Sequence, residues 1–215
     1  MEAILALRPD LVVILEEHGE LRAQLVRVGL EVLAIQHNNL AGIEQSLVDL
    51  ATRLGDAKAG EREAAKVRAG LAEVRRKAAS LPKRKTMFVI GRTPGTIQDL
   101  MVVGSGPFLN ELIEAAGGAN MFRDTLGFYP RIPREEIYAG APEVIIDMGD
   151  MAVTDGVTEA HKRSVVELWQ RAFPKLPAVR ESRVFAVAED HFVVPGPRVV
   201  QAAQALLRMI HPEAE

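Results

Sequence analysis

Glu2-Ala3-Ile4-Leu5-Ala6-Leu7-Arg8-Pro9-Asp10-Leu11-Val12-Val13 aligns without gaps to Glu135-Glu136-Ile137-Tyr138-Ala139-Gly140-Ala141-Pro142-Glu143-Val144-Ile145-Ile146. The offset is 133 throughout, and the glutamate, isoleucine, alanine and proline are shared at matching places. Each copy reads as a short helix opened by glutamate and followed by a proline-initiated buried strand. Such a repeat predicts two similar lobes. Between the copies, Val67, Leu71, Val74, Ala78 and Leu81 recur at helical spacing with charges on the remaining faces. That predicts one amphipathic helix from Asp56 to Ser80, about 37 Å long. Gly60 and Gly70 each weaken it by about 1 kcal/mol relative to alanine. Leu81-Pro82 ends it.

Outward from the helix, strand-length apolar runs alternate with helical stripes on both sides. Leu11–Leu15 and Val32–Ile35 predict two strands, with helices around Leu21–Val28 and Ile43–Leu54, closed by Gly29 and Gly55. After the long helix, strands are expected at Thr86–Ile90, Asp99–Val103, Glu143–Asp147 and Val184–Val187. Helices are expected at Phe108–Ala116, around Val165–Trp169, and at Val199–Ile210. The fold class is therefore α/β: two lobes with parallel sheets, residues 1–55 and 82–215, joined by one long helix at 56–81. The first lobe is expected to be incomplete, because some 50 residues precede the second copy within its lobe and the first copy opens the sequence.

Composition narrows the function. A net charge of −3 without a clustered basic surface argues against nucleic acid or an anionic membrane as partner. The most basic stretch, Arg75-Arg76-Lys77 and Lys83-Arg84-Lys85, suits a solvated helix end. The absence of cysteine excludes disulfides and thiolate metal sites. Met1–Arg8 lacks the basic flank, apolar core and cleavage site of a secretion signal. Read alone, that start says cytosolic; the shortened first lobe points instead to a longer, exported form.

The motifs, in order, resemble one family. Glu2–Leu15 is similar to "N-L-E-x-I-x-x-L-K-P-D-L-V-I", and Phe108–Phe122 to "F-L-x-E-L-I-x-x-A-G-G-x-N-x-F". Tyr129-Pro130-Arg131-Ile132 with Glu135 resembles "W-P-x-V-S-x-E", with tyrosine in place of tryptophan. Leu176–Val179, Arg183-Val184-Phe185 and Pro195–Arg198 complete the series. These are motifs of the periplasmic substrate-binding proteins of ABC importers for vitamin B12, iron-siderophores and haem, the class III receptors with a helical backbone. The resemblance spans essentially the whole chain and implies an N-terminally truncated member. It implies a protein that is not an enzyme and has no resident cofactor. Such a protein would hold cobalamin, a ferric siderophore or haem between two lobes and deliver it to a permease. It would lie in the periplasm or as an extracytoplasmic lipoprotein.

Binding of this kind uses a preformed cleft at the carboxyl ends of strands. Arg92 and Asp150 stand there as candidate ligand-binding residues, Arg92 to meet a ligand charge or else to pair with Asp99 or Asp150. Tyr129 offers a ring to stack on a flat ligand, or packs as a satellite of the core. His191-Phe192 replaces the family's "D-W-F" aromatic, for ring contact, axial approach or packing. Glu17 and His18 fit a cleft rim in the first lobe, or are solvated loop residues. In similar proteins a glutamate in each lobe docks on permease arginines; Glu2 and Glu135 hold those places, where helix-start electrostatics also favours carboxylates.

Three alternative functions fit the residues less well. Gly104-Ser105-Gly106 sits where amides cradle phosphate, but a dinucleotide fingerprint needs a third glycine at Leu109. Direct zinc or manganese capture would use His18, His37, His161, His191 or His211, none at paired ligand spacing. A non-binding module would cover the open edge of the short first lobe with a second copy, giving a homodimer.

Overall fold

The computed structural model describes residues 1–149 and 157–214. The chain divides into two compact units, Met1–Arg68 and Ala69–Glu215. The N-terminal unit runs α1 (Glu2–Ala6), β1 (Val12–Leu15), α2 (Gly19–Arg27), β2 (Val32–Ile35) and α3 (Leu40–Arg53). β1 and β2 pair in parallel, Val12 opposite Val32. Gly29, at φ +82°, ends α2 as its position required. Asn39 caps α3 by accepting from the Gly42 amide at 2.7 Å.

The long helix, α4, spans Ala57–Ala78, and the boundary between the units falls inside it. Its two glycines, unfavourable for a helix alone, are explained by contacts within each unit. A β-carbon on Gly60 would lie 2.8 Å from the Leu47 carbonyl oxygen of α3. A β-carbon on Gly70 would lie 2.5 Å from Val200 Cγ1 in the last helix. Local propensity gives way to close packing.

The C-terminal unit continues with β3 (Arg84–Gly91), β4 (Leu100–Val102), α5 (Phe108–Ala115), β5 (Gly118–Asn120), β6 (Arg131–Ile132), α6 (Arg134–Gly140) and β7 (Val144–Asp147). It closes with α7 (Glu159–Ala172), α8 (Pro177–Arg180), β8 (Val184–Ala186), a 3-10 turn at Asp190–Phe192, α9 (Val199–Ile210) and a final 3-10 turn. The strand order is β6-β4-β3-β7-β8, with β5 beside the first half of β3. Met87, Phe88 and Val89 have no exposure, so β3 is covered on both faces, as its unbroken apolar run required. Met87 and Val89 join Trp169 and Phe173 in one cluster, while Phe88 meets Phe192 edge-on.

The expected parallel sheet is present in β5, β3, β7 and β8, and it carries an antiparallel extension at one edge. β4 and β6 run antiparallel. Only Arg92–Asp99 separates β3 from β4, and a parallel return needs a crossover of about a dozen residues or more.

The sequence repeat survives as geometry. α1 and β1 match α6 and β7, and Arg8 and Ala141, at corresponding places, both hold φ 48°. Each is a non-glycine residue in left-handed backbone just before a proline, where right-handed backbone is disfavoured.

Because the close approach at Gly60 is to backbone, which yields less than a side chain, Gly60→Ala is expected to destabilise by about 1–3 kcal/mol despite its better helix propensity. Gly70→Ala should behave similarly, with Val200→Ala in the same chain recovering part of the loss. Urea unfolding of the single and double variants measures both effects.

Candidate ligand-binding site

The carboxyl ends of β3 and β7 open into a cavity of about 540 Å³ in the C-terminal unit. The turn Gly91–Pro94 after β3 and Met148-Gly149 after β7 form two walls. Gly91, Met101 and Arg131 are cross-strand neighbours on β3, β4 and β6, and all three line it. Lacking a side chain, Gly91 leaves room for Met101, whose Cε would lie 3.1 Å from a β-carbon there.

One buried network holds these walls. Asp147, the last residue of β7, has no exposure. Its Oδ2 accepts from Arg92 Nε at 2.9 Å and Trp169 Nε1 at 2.6 Å, and its Oδ1 from the Gly149 amide at 2.7 Å. Arg92 Nη1 also donates to the Thr96 carbonyl at 2.9 Å. A buried ion pair tolerates desolvation only when such further hydrogen bonds satisfy both partners. The pairing of Arg92 is thereby corrected: its carboxylate is Asp147 rather than Asp99. Asp99 instead accepts from Thr93 Oγ1 at 2.6 Å. Asp150 lies outside the described residues.

The remaining expected site residues separate into three groups. Tyr129 is 40% exposed and stands edge-on to Phe128, and burial pushes its hydroxyl above the ordinary range. It lies just ahead of β6 and is not among the residues lining the cavity. Phe192 is 1% exposed and packs on Phe88, so its ring fills the core instead of facing a ligand. His191 stacks against Phe192 with centroids 4.5 Å apart, and its Nε2 is buried without a hydrogen-bond partner among the described residues. Burial holds its pKa below the ordinary 6.5 against the attraction of Glu189 and Asp190, so the ring is neutral at pH 7. Its neighbour Val193 does line the cavity. Two ion pairs brace this turn, Lys162 with Glu189 at 2.9 Å and Arg198 with Asp190 at 2.8 Å.

Glu17 and His18 are exposed and line an open depression formed by residues of the N-terminal unit alone. Glu17 lies 3.9 Å from His37. Glu2 and Glu135 occupy the first turns of α1 and α6, exposed and unpaired among the described residues. The glycines of Gly104-Ser105-Gly106 have a packing explanation. Added β-carbons would strike the Gly127 carbonyl oxygen and the Phe128 ring, so that loop covers them.

Sequence reasoning misses Arg131 and Asp147. Arg131 could have been found from alternation, since Ile132 beside it is buried and Arg131 faces the other way. For Asp147 the signal was a carboxylate ending one buried strand while an arginine follows another.

Comparison with known proteins adds a family. Residues 1–190 match the periplasmic binding protein family. The chain is 24% identical over 204 residues to a vitamin B12-binding protein of Vibrio parahaemolyticus, covering 94% of this chain and 68% of that protein. It is 28% identical over 214 residues to a vitamin B12-binding protein of Yersinia pestis, covering 98% and 69% respectively. In fold it is similar to a periplasmic haem-binding protein from Pseudomonas aeruginosa, with a TM-score of 0.79 and 24% identity over 100% of this chain and 76% of that one.

Asp147→Ala takes a buried carboxylate from Arg92 and the acceptor from Trp169 Nε1 and the Gly149 amide, and is expected to cost about 3–5 kcal/mol in chemical denaturation. For His191 the folded pKa lies below the unfolded one, so its contribution to stability is complete above pH 6.5 and is lost as pH falls through the folded value. His191→Gln should therefore flatten the acid limb of a plot of melting temperature against pH.

Proposed function

The chain belongs to the periplasmic binding protein family, and from that premise we propose that it is the substrate-binding component of an ABC importer, capturing a corrinoid outside the cytoplasm and handing it to a membrane permease. The observation that carries this reading is the family match across residues 1–190, joined to a cavity built at strand carboxyl ends. The relatives named as vitamin B12-binding proteins, each matched over more than nine-tenths of this chain, support the ligand. Haem or a ferric siderophore is the second reading, favoured by the likeness to the Pseudomonas haem-binding protein.

The chemistry asked of such a protein is recognition alone. A site whose walls are already fixed by hydrogen bonds and ion pairs loses little freedom on binding, which favours affinity. Arg92, sealed to Asp147, acts in this reading as a wall that holds the turn after β3. Delivery requires a second surface. Glu2 and Glu135, one in each unit, each support such a contact: exposed carboxylates at matching places of the repeat, unpaired among the described residues and able to meet a cationic side chain of a permease.

Isothermal titration with cyanocobalamin, haemin and a ferric siderophore is expected to give saturable one-site binding, tightest for cyanocobalamin. No heat with any of the three rejects the proposed function. Glu2→Arg combined with Glu135→Arg should leave ligand affinity unchanged and abolish uptake in a transport assay; normal uptake excludes the docking role.

A further inference from the structure

We infer that Asp99 and Arg131 together read carboxamides, selecting a ligand fringed with uncharged amide groups over one fringed with carboxylates. This rests on the corrinoid reading and assigns its specificity to two residues. Both line the cavity at the carboxyl end of β3, and both also line an adjoining depression of about 460 Å³ beside β6. They therefore stand where a ligand wider than one cavity would extend into the other.

Among the described residues, the other charges lining these depressions, Arg92 and Arg134, are committed elsewhere. Arg92 is held by Asp147, and the Arg134 guanidinium lies over the Phe173 ring at 4.8 Å from its centroid. The Arg131 side chain has neither an ion pair nor a hydrogen bond among the described residues and is exposed on the short edge strand β6. Asp99 uses one oxygen to accept from Thr93 Oγ1, leaving Oδ1 to accept from a ligand. No ion pair of 4.0 Å or less joins Asp99 to Arg131 among the described residues, so neither satisfies the other.

The two thus offer five guanidinium N–H donors and one carboxylate acceptor lining the same two depressions. A primary amide meets both, its carbonyl accepting from Arg131 and its NH₂ donating to Asp99. A carboxylate can only accept; it is drawn to Arg131 and repelled by Asp99. An ammonium has the opposite conflict. Rejection by like charge is an effective route to discrimination, because it acts only against the wrong ligand.

Asp99 holds φ 52°, a conformation asparagine adopts readily, so Asp99→Asn removes the charge with little change of backbone. In isothermal titration, Arg131→Gln should weaken cyanocobalamin binding by about tenfold, as expected for loss of a charge-assisted hydrogen bond. Asp99→Asn should weaken cyanocobalamin by about threefold yet strengthen haemin, whose propionates no longer meet a carboxylate. Opposite signs for the two ligands are what a purely structural role could not produce. The inference is overturned if Asp99→Asn moves both ligands the same way or neither, or if Arg131→Gln leaves cyanocobalamin within about twofold of the parent. Parent protein that prefers haemin to cyanocobalamin overturns it while leaving an importer role intact. Parent protein that binds neither ligand removes the corrinoid reading and the inference with it.

Discussion

A carboxylate without exposure must find donors or lose its charge, and Asp147 finds them in three separate parts of the C-terminal unit. Arg92 comes from the turn after β3, Gly149 from the turn after β7, and Trp169 from α7. One buried charge thereby ties together two strand ends and a helix. Those two turns are the cavity walls, so the shape of the site depends on this single interaction. Its strength follows from low local polarity, which makes a satisfied charge stable and an unsatisfied one intolerable.

From that anchor the rest of the site is built by sheet geometry. Parallel β3 and β7 bring their carboxyl ends to one side, and antiparallel β4 and β6 extend the surface sideways with Met101 and Arg131. The 3-10 turn before α9 adds Val193, fixed by flanking ion pairs while Phe192 locks its underside into the core. In the proposed function, recognition falls to the few polar groups the scaffold leaves uncommitted.

Much of this organisation is legible in the order of residues. The helix–strand unit repeated at an offset of 133 is confirmed down to the left-handed backbone of Arg8 and Ala141. The long apolar runs became strands, and the stripe through Val67, Leu71 and Val74 became α4. Less legible were β5 and β6, three and two residues long, which are too short to show alternation. Antiparallel β4 was legible only through the length of the preceding turn. Within the site, Arg92 is legible as either a ligand contact or a member of an ion pair, but its carboxylate Asp147 is not. For Phe192 both ligand contact and packing are legible, because sequence cannot say which side of a turn an aromatic ring takes; the structure packs it on Phe88.

The sequence by itself determined the alternation of strands and helices, the repeated unit, the amphipathic long helix and the family. Each is written in local periodicity or in residues close along the chain. Only the tertiary structure decided which charge meets which. Arg92 and Asp147 are 55 residues apart, and they meet because Val89 lies opposite Asp147 in the parallel register of β3 and β7. That register is set by the burial of both strands on both faces. The same non-local packing sealed one arginine away and left Arg131 exposed at the rim.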